Sequence, residues 1–245
     1  MSIKTEAIVL HARPFRDADR LYEVLTPSEG MLTLVARGAA RSSSKMTGFL
    51  QPFDRVRLMI GRGRMDHIAG AATMESFRNL RSSWPDFILA SSLVELVLKL
   101  HVPGVAARRE FDLFLETLRV LDDGSRSARD RIIIGRIFLW KLFSLAGWRP
   151  NIESCAVCRE ALAHAPVSYD AVKGFVCVAH AEGAMQLPAS LMVFLADVMD
   201  NGDWNALIAT ALGGNHEREW FSISQKYYQD ILEAPIESLK LFQYV

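Results

Sequence analysis

Cysteine occurs three times in the 245 residues, and all three fall between positions 155 and 177. Cys155 and Cys158 are spaced C-x2-C, Cys177 and His180 are spaced C-x2-H, and 18 residues separate the two pairs. A two-residue gap lets both side chains of a pair turn towards one ion, so two pairs supply the four ligands of a tetrahedral site. Thiolate and imidazole donors suit Zn²⁺ better than Mg²⁺ or Ca²⁺. The expectation is one zinc ion on Cys155, Cys158, Cys177 and His180, with His164 a competitor for the fourth place. The competing reading is three small buried apolar side chains and a surface histidine. Four protein ligands leave no position for a reactive water, so a site of this kind ties the chain together and does no chemistry. The His180-Ala-Glu182 triplet resembles the H-x-E of zinc deaminases, but there the cysteine pair follows the motif and here it precedes it.

Other catalytic signals fail in turn. Ser42 to Lys45 fits S-x-x-K, yet no S-D-N or K-T-G partner accompanies it. The run GRGRMD at 61–66 begins like a dinucleotide fingerprint but lacks its third glycine and stands between strand patterns. No phosphate-binding G-x-x-x-x-G-K-[ST] and no G-x-S-x-G occurs. The expectation is a binding protein and not an enzyme.

Binding chemistry is visible in the arginines. Arg37, Arg41 and Lys45 lie in the glycine- and serine-rich stretch ARGAARSSSK, whose small residues allow close approach to a phosphate backbone while the cations displace counterions. Arg13, Arg16 and Arg20 mark a second basic loop. Arg55 and Arg57 share one face of a strand pattern. Phe15, Tyr22, Phe49 and Phe53 are candidates for base stacking where they are exposed, as in single-strand-binding barrels.

The elements that must position these residues come in two kinds. Residues 1–75 read as five short strands, IKTEAIVL, RLYEVLT, GMLTLVARG, DRVRLMI and MDHIAGAAT, with turn residues between them, which predicts a small β-barrel. From Pro85 the period becomes helical, through PDFILASSLVELVLKLHV, RREFDLFLETLRVLDDG and SARDRIIIGRIFLWKLFSLAGW. The cysteine segment interrupts that pattern, which resumes in PASLMVFLADVMD, DWNALIATAL and EREWFSISQKYYQDILEA. The fold class expected is α+β, with the boundary near residues 78–85.

Net charge is zero, but it is unevenly spread: residues 1–80 hold 12 Lys/Arg against 8 Asp/Glu, and the other 165 hold 16 against 20. A basic N-terminal third points to an anionic partner there. The opening MSIKTEAIVLHARPF has no charged leader followed by a long apolar run, so no export signal is expected, and an odd cysteine count then points to a reducing cytoplasm. The two most apolar windows carry Glu95 and Lys99, and Arg136 and Lys141, which makes them poor membrane spans.

Residues 6–53, EAIVLHARPFRDADRLYEVLTPSEGMLTLVARGAARSSSKMTGFLQPF, resemble the N-terminal region of the RecO family of bacterial recombination and repair mediators. The likeness continues more weakly through the helical half, where GWRPNIESCAVC and GFVCVAH stand where many members carry a zinc ribbon. The resemblance implies a five-stranded OB-fold over 1–80 and a helical domain over 81–245, with the zinc segment at 153–182. It implies a non-enzymatic protein, cytoplasmic and nucleoid-associated, that binds single- and double-stranded DNA and anneals complementary strands. It also implies help in loading recombinase onto strands coated by single-strand-binding protein. The implied partners are RecR and the acidic C-terminal tail of single-strand-binding protein. ARGAARSSSK would be the DNA-facing loop. A tail site is expected in an apolar groove between helices beside an arginine such as Arg108, Arg109, Arg131 or Arg136. Two departures stand out: His180 takes a place where cysteine is frequent, and residues 213–245 are not basic, with three Lys/Arg against five acidic groups. The rival class is a zinc-ribbon adaptor between proteins whose DNA binding is incidental.

Overall fold

In β4 (Arg55–Gly61), Val56, Leu58 and Ile60 are wholly buried while Arg55, Arg57 and Met59 face outwards, the period-2 pattern of a half-buried strand. The computed structural model describes residues 2–41, 44, 46–101, 104–162, 166–214 and 216–232. Its strands β1 (Ser2–Phe15), β2 (Asp19–Thr26), β3 (Gly30–Ala36), β4 and β5 (His67–Glu75) close a barrel in the order β1-β2-β3-β5-β4. The long β1 serves two neighbours, pairing through Ser2 to Ile8 with β4 and through Ile8 to Phe15 with β2. The barrel closes where β3 meets β5 in parallel at Val35 and His67. With the short helix α1 (Met46–Phe49) between β3 and β4, this strand order is an OB-fold.

Val9, Tyr22, Val24, Leu34, Val56 and Leu58 fill the barrel interior. Ile8, Leu21 and Leu25 are equally buried but lie outside that cluster, on the outer face. Helix α4 (Arg108–Leu121) packs against β2 there. A strand covered on both faces needs a continuous apolar run, which is why IKTEAIVL alternates only in its first half.

The chain divides into two compact units, Met1–Ser125 and Arg126–Val245. The first holds the barrel with α2 (Arg78–Ser82), α3 (Trp84–Leu100) and α4. A buried carboxylate pins α2 to the barrel: Asp54 Oδ1 accepts from Arg81 Nη1 at 2.7 Å and from Ser76 Oγ at 2.9 Å. Gly30 turns the chain into β3 with φ of 64°, and a Cβ there would stand 2.0 Å from the Val105 carbonyl. No side chain fits that approach.

The second unit is built around α5 (Ala128–Leu145), started by a capping box in which Ser127 and Asp130 satisfy each other's N–H groups. Its middle, Ile133 to Leu139, is buried on every side, so it lacks a polar face. Trp140 stacks on Tyr227 of α8 (Glu217–Leu232) at 5.2 Å and donates to Ser224 Oγ at 2.9 Å. Helices α6 (Ala189–Asp200) and α7 (Trp204–Gly213) complete the unit. Between α5 and α6 lies a three-stranded sheet, β6 (Val167–Asp170), β7 (Gly174–Cys177) and β8 (Met185–Leu187), in the order β7-β6-β8. Among the described residues no helix is long and apolar enough to cross a membrane.

Candidate metal centre and nucleic-acid interface

The sheet brings the two cysteine pairs together. In the first knuckle the Cys155 N–H donates to the Glu160 carbonyl at 2.8 Å and the Arg159 N–H to the Cys155 carbonyl at 3.0 Å, with Arg159 in the left-handed region at φ 66°. The second knuckle is the end of β7 and a single 3-10 turn, Val178–His180. A hydrogen bond from the Ala156 N–H to the Phe175 carbonyl, 2.9 Å, joins the two.

One nitrogen and three sulfurs converge as a result. Cys177 Sγ lies 3.2 Å and Cys155 Sγ 3.8 Å from His180 Nδ1, and Cys158 Sγ lies 3.8 Å from Cys177 Sγ. The four ligand atoms fall within 4.8 Å of one another. Tetrahedral coordination with bonds of about 2.3 Å sets sulfurs roughly 3.8 Å apart, so the donor set fits a metal ion. Backbone N–H groups of Val157 and Cys177 each point at Cys155 Sγ from 3.4 Å. Burial resists ionisation of that thiol, but donation from the Cys177, Cys158 and Val157 backbone outweighs it and brings the group down to about 6. His164 lies outside the described residues. The ribbon is held to α8 by rings, with Tyr169 5.0 Å from Phe175 and 5.8 Å from Tyr227, and by the Tyr169 hydroxyl donating to Asp230 at 3.0 Å.

The barrel arginines fall into two groups. Arg13, Arg16 and Arg20 belong to the β1–β2 hairpin, and Arg37 and Arg41 to the turn after β3. Two hydrogen bonds hold these segments side by side: Ala40 N–H to the Ala18 carbonyl at 2.9 Å, and Gly38 N–H to Asp19 Oδ1 at 2.8 Å. Arg13, Arg16, Arg37 and Arg41 are exposed, Arg20 is half-buried, and among the described residues none of the five pairs with a carboxylate. Lys45 lies outside the described residues. Asp19, the carboxylate that fixes the Gly38 turn, escaped the sequence reading; its place two residues past a hairpin tip was the available signal.

Arg55 and Arg57 lie elsewhere, beside the other half of β1. Arg55 Nη2 pairs with Glu6 at 2.6 Å and Arg55 Nη1 with Glu75 at 3.7 Å, while exposed Arg57 stands across from Glu6. Arg119 of α4 grips both Glu75 oxygens, at 2.8 and 2.7 Å, and holds that carboxyl below the usual range. Two stacking candidates are corrected by burial: Tyr22 and Phe53 are each 1% exposed, because both are needed as apolar filling. Phe15 is half-buried beneath Arg16, and Phe49 is exposed.

Residues 1–77 match the family described as Recombination protein O N terminal, and residues 81–240 match Recombination protein O C terminal. The chain belongs to the RecO family. A RecO relative from Bifidobacterium adolescentis, named DNA repair protein RecO, is 28% identical over 245 residues, 96% of this chain and 97% of its own. One of the same name from Bifidobacterium longum subsp. infantis is 31% identical over 243 residues, 97% of each chain. A third, from Desulforudis audaxviator, is 36% identical over 157 residues, 63% of this chain and 61% of its own. The RecO family places the chain in DNA repair and recombination.

The second unit also carries an apolar groove of about 370 Å³ lined by Leu191, Phe194 and Trp220, with Ser190 Oγ and His216 Nε2 hydrogen-bonded at 2.6 Å on its wall. Arg136, buried among rings, lies 5.6 Å over Trp220 and 5.0 Å over Phe221 and 3.5 Å from Glu217. Arg131 donates to the Arg126 carbonyl at 3.2 Å; Arg108 and Arg109 are exposed on α4, Arg108 pairing with Asp112 at 2.8 Å.

Proposed function

We propose that the protein is a non-enzymatic recombination mediator that binds single- and double-stranded DNA on its barrel, anneals complementary strands and assists recombinase loading on strands coated by single-strand-binding protein. The observation that carries this reading is the pair of hydrogen bonds setting the Arg13–Arg16–Arg20 hairpin beside the Arg37–Arg41 turn. Five arginines without carboxylate partners among the described residues then form one cationic surface on an OB barrel, able to release counterions from a phosphate backbone. Lys45, four residues beyond Arg41, extends the same loop in sequence. Arg57 is a further contact on the barrel's other side, and Arg55, already matched by Glu6 and Glu75, supports it.

The ion at Cys155, Cys158, Cys177 and His180 is zinc, structural because all four positions are protein ligands. It holds the ribbon whose Tyr169 and Phe175 pack on α8. RecR and the acidic tail of single-strand-binding protein are the protein partners. For the tail, the groove beside Phe194 and Trp220 offers apolar seating, with the Arg136 guanidinium over the Trp220 ring.

Fluorescence anisotropy of a labelled oligonucleotide across a salt series tests the DNA reading. The parent protein should lose affinity steeply with salt, and Arg37→Ala with Arg41→Ala should flatten the log–log slope by about 0.7 per residue on single strands. An unchanged affinity and slope would remove these loops from the interface.

A further inference from the structure

Three aromatic rings of the first unit run from core to solvent. Phe53 is 1% exposed, Phe87 is half-buried and Trp84 is 72% exposed. The Phe53 and Phe87 centroids lie 5.4 Å apart, and Trp84 stacks on Phe87 at 6.1 Å with the planes 12° apart. Most of the largest apolar side chain is thus left to water, although burying a tryptophan is among the larger gains folding offers.

Phe53 and Phe87 border a groove of about 520 Å³ between the barrel and α3, and Trp84 adjoins it through its contact with Phe87. His11 and Arg20 line it on the hairpin side, Thr47 of α1 and Gln51 just beyond it in the middle, and Phe53 and Phe87 on the ring side. Arg20 belongs to the cationic surface described above, so one continuous path leads from the arginine loops to the rings. The acid on this path, Glu95, is matched by Lys99 at 2.7 Å, and His11 is matched by Glu23 at 3.6 Å.

We infer that Trp84 is a base-stacking platform for single-stranded nucleic acid that reaches it along this groove from the Arg20 side. The inference rests on the DNA-binding reading and adds to it the residue that takes an unpaired base. Every base has a flat π-face, so an exposed indole beside a stacked Phe87 accepts any of them. The contact is uncharged, so it adds affinity without adding to the salt dependence. Paired bases cannot reach it, so it separates single strands from duplex.

The test uses the full chain, an oligo-dT and a duplex of equal length, with Trp84→Ala and Trp84→Phe beside the parent. Trp84→Ala should weaken oligo-dT binding by about 5- to 150-fold, the equivalent of roughly 1–3 kcal/mol. Its salt slope and its duplex affinity should match the parent's. Trp84→Phe should keep most of the affinity but lose most of the DNA-induced quenching of tryptophan emission. Parental oligo-dT affinity in Trp84→Ala, an equal loss on duplex, or undiminished quenching in Trp84→Phe would each overturn the platform while leaving DNA binding intact. If Trp84→Ala fails to fold by circular dichroism, the quenching of Trp84→Phe decides alone. A parent that binds neither ligand at low salt overturns the proposed function itself, and the platform with it.

Discussion

The Ala40 N–H donates to the Ala18 carbonyl at 2.9 Å, fastening the turn after β3 to the tip of the β1–β2 hairpin. Asp19 adds the second fastening by accepting from Gly38 N–H at 2.8 Å. Through these two bonds, segments carrying arginines 17 to 28 positions apart in sequence lie side by side.

Asp19→Ala separates geometry from charge. Removing an acid from a cationic surface should by Coulomb's law strengthen DNA binding, whereas freeing the Gly38 turn should weaken it. A charge-assisted hydrogen bond contributes about 1.5–3 kcal/mol, so the variant is expected to melt earlier and to bind an oligonucleotide less tightly. Tighter binding in an anisotropy titration would show that charge outweighs loop geometry.

The metal centre predicts a stoichiometry. Elemental analysis should find about one zinc per chain, and close to none in Cys155→Ala, Cys177→Ala or His180→Ala. Because three sulfurs and His180 Nδ1 already converge, His164→Ala should keep its zinc. Cobalt substituted at the site should show the strong visible bands of a tetrahedral thiolate sphere. Full zinc content in His180→Ala would return the fourth position to His164.

Arg119 and Glu75 give a pH dependence of defined sign. The hydrogen bonds from Arg119 lower the Glu75 carboxyl from its ordinary 4.5, so the folded state holds its proton less tightly than the unfolded chain does. The contribution is therefore complete above pH 4.5 and lost as pH falls through the depressed folded value. Arg119→Ala should be less stable than the parent by under about 1 kcal/mol at neutral pH. Urea titrations should show that difference shrinking towards zero in acid; a constant gap would mean the pair is not its source.

Asp54 predicts the largest loss. It is 2% exposed and holds Arg81 and Ser76, so Asp54→Ala leaves a guanidinium and a hydroxyl without their shared acceptor. Breaking a buried pair from one side costs about 3–5 kcal/mol. Arg55→Ala, on the surface between Glu6 and Glu75, should cost under about 1 kcal/mol and leave the DNA salt slope nearly unchanged. Calorimetric melting of the two variants compares these costs directly, and a mild Asp54→Ala would mean that α2 is pinned by other contacts.

Much of this protein was legible in the chain itself. Val56, Leu58 and Ile60 alternating with Arg55, Arg57 and Met59 declare a half-buried strand, because the strand period is two whatever surrounds it. The two knuckles point to a metal site, because C-x2-C and C-x2-H each turn two ligands to one side by local geometry and together make up four. Ser127 and Asp130 mark the start of α5 by the same local logic. The RecO likeness of residues 6–53 and the order of strands before helices completed the outline.

What remained for the tertiary structure was which side chains meet across distance and which face water. Tyr22 and Phe53 look in sequence like Phe15 and Phe49, but Tyr22 is buried inside the closed barrel and Phe53 is buried beside Phe87 of α3. Arg55 looks like Arg37 until Glu6 and Glu75 arrive from two other strands and match its charge. Helices α2 to α4 read as part of the helical half, and their contacts set them in the compact unit of the barrel. Trp84 stands just before Pro85, where the period becomes helical, and only the folded chain shows it 72% exposed beside Phe87. Local pattern reports the chemistry of neighbours in sequence. Exposure and charge compensation are set by neighbours in space, and the chain supplies those only once it has folded.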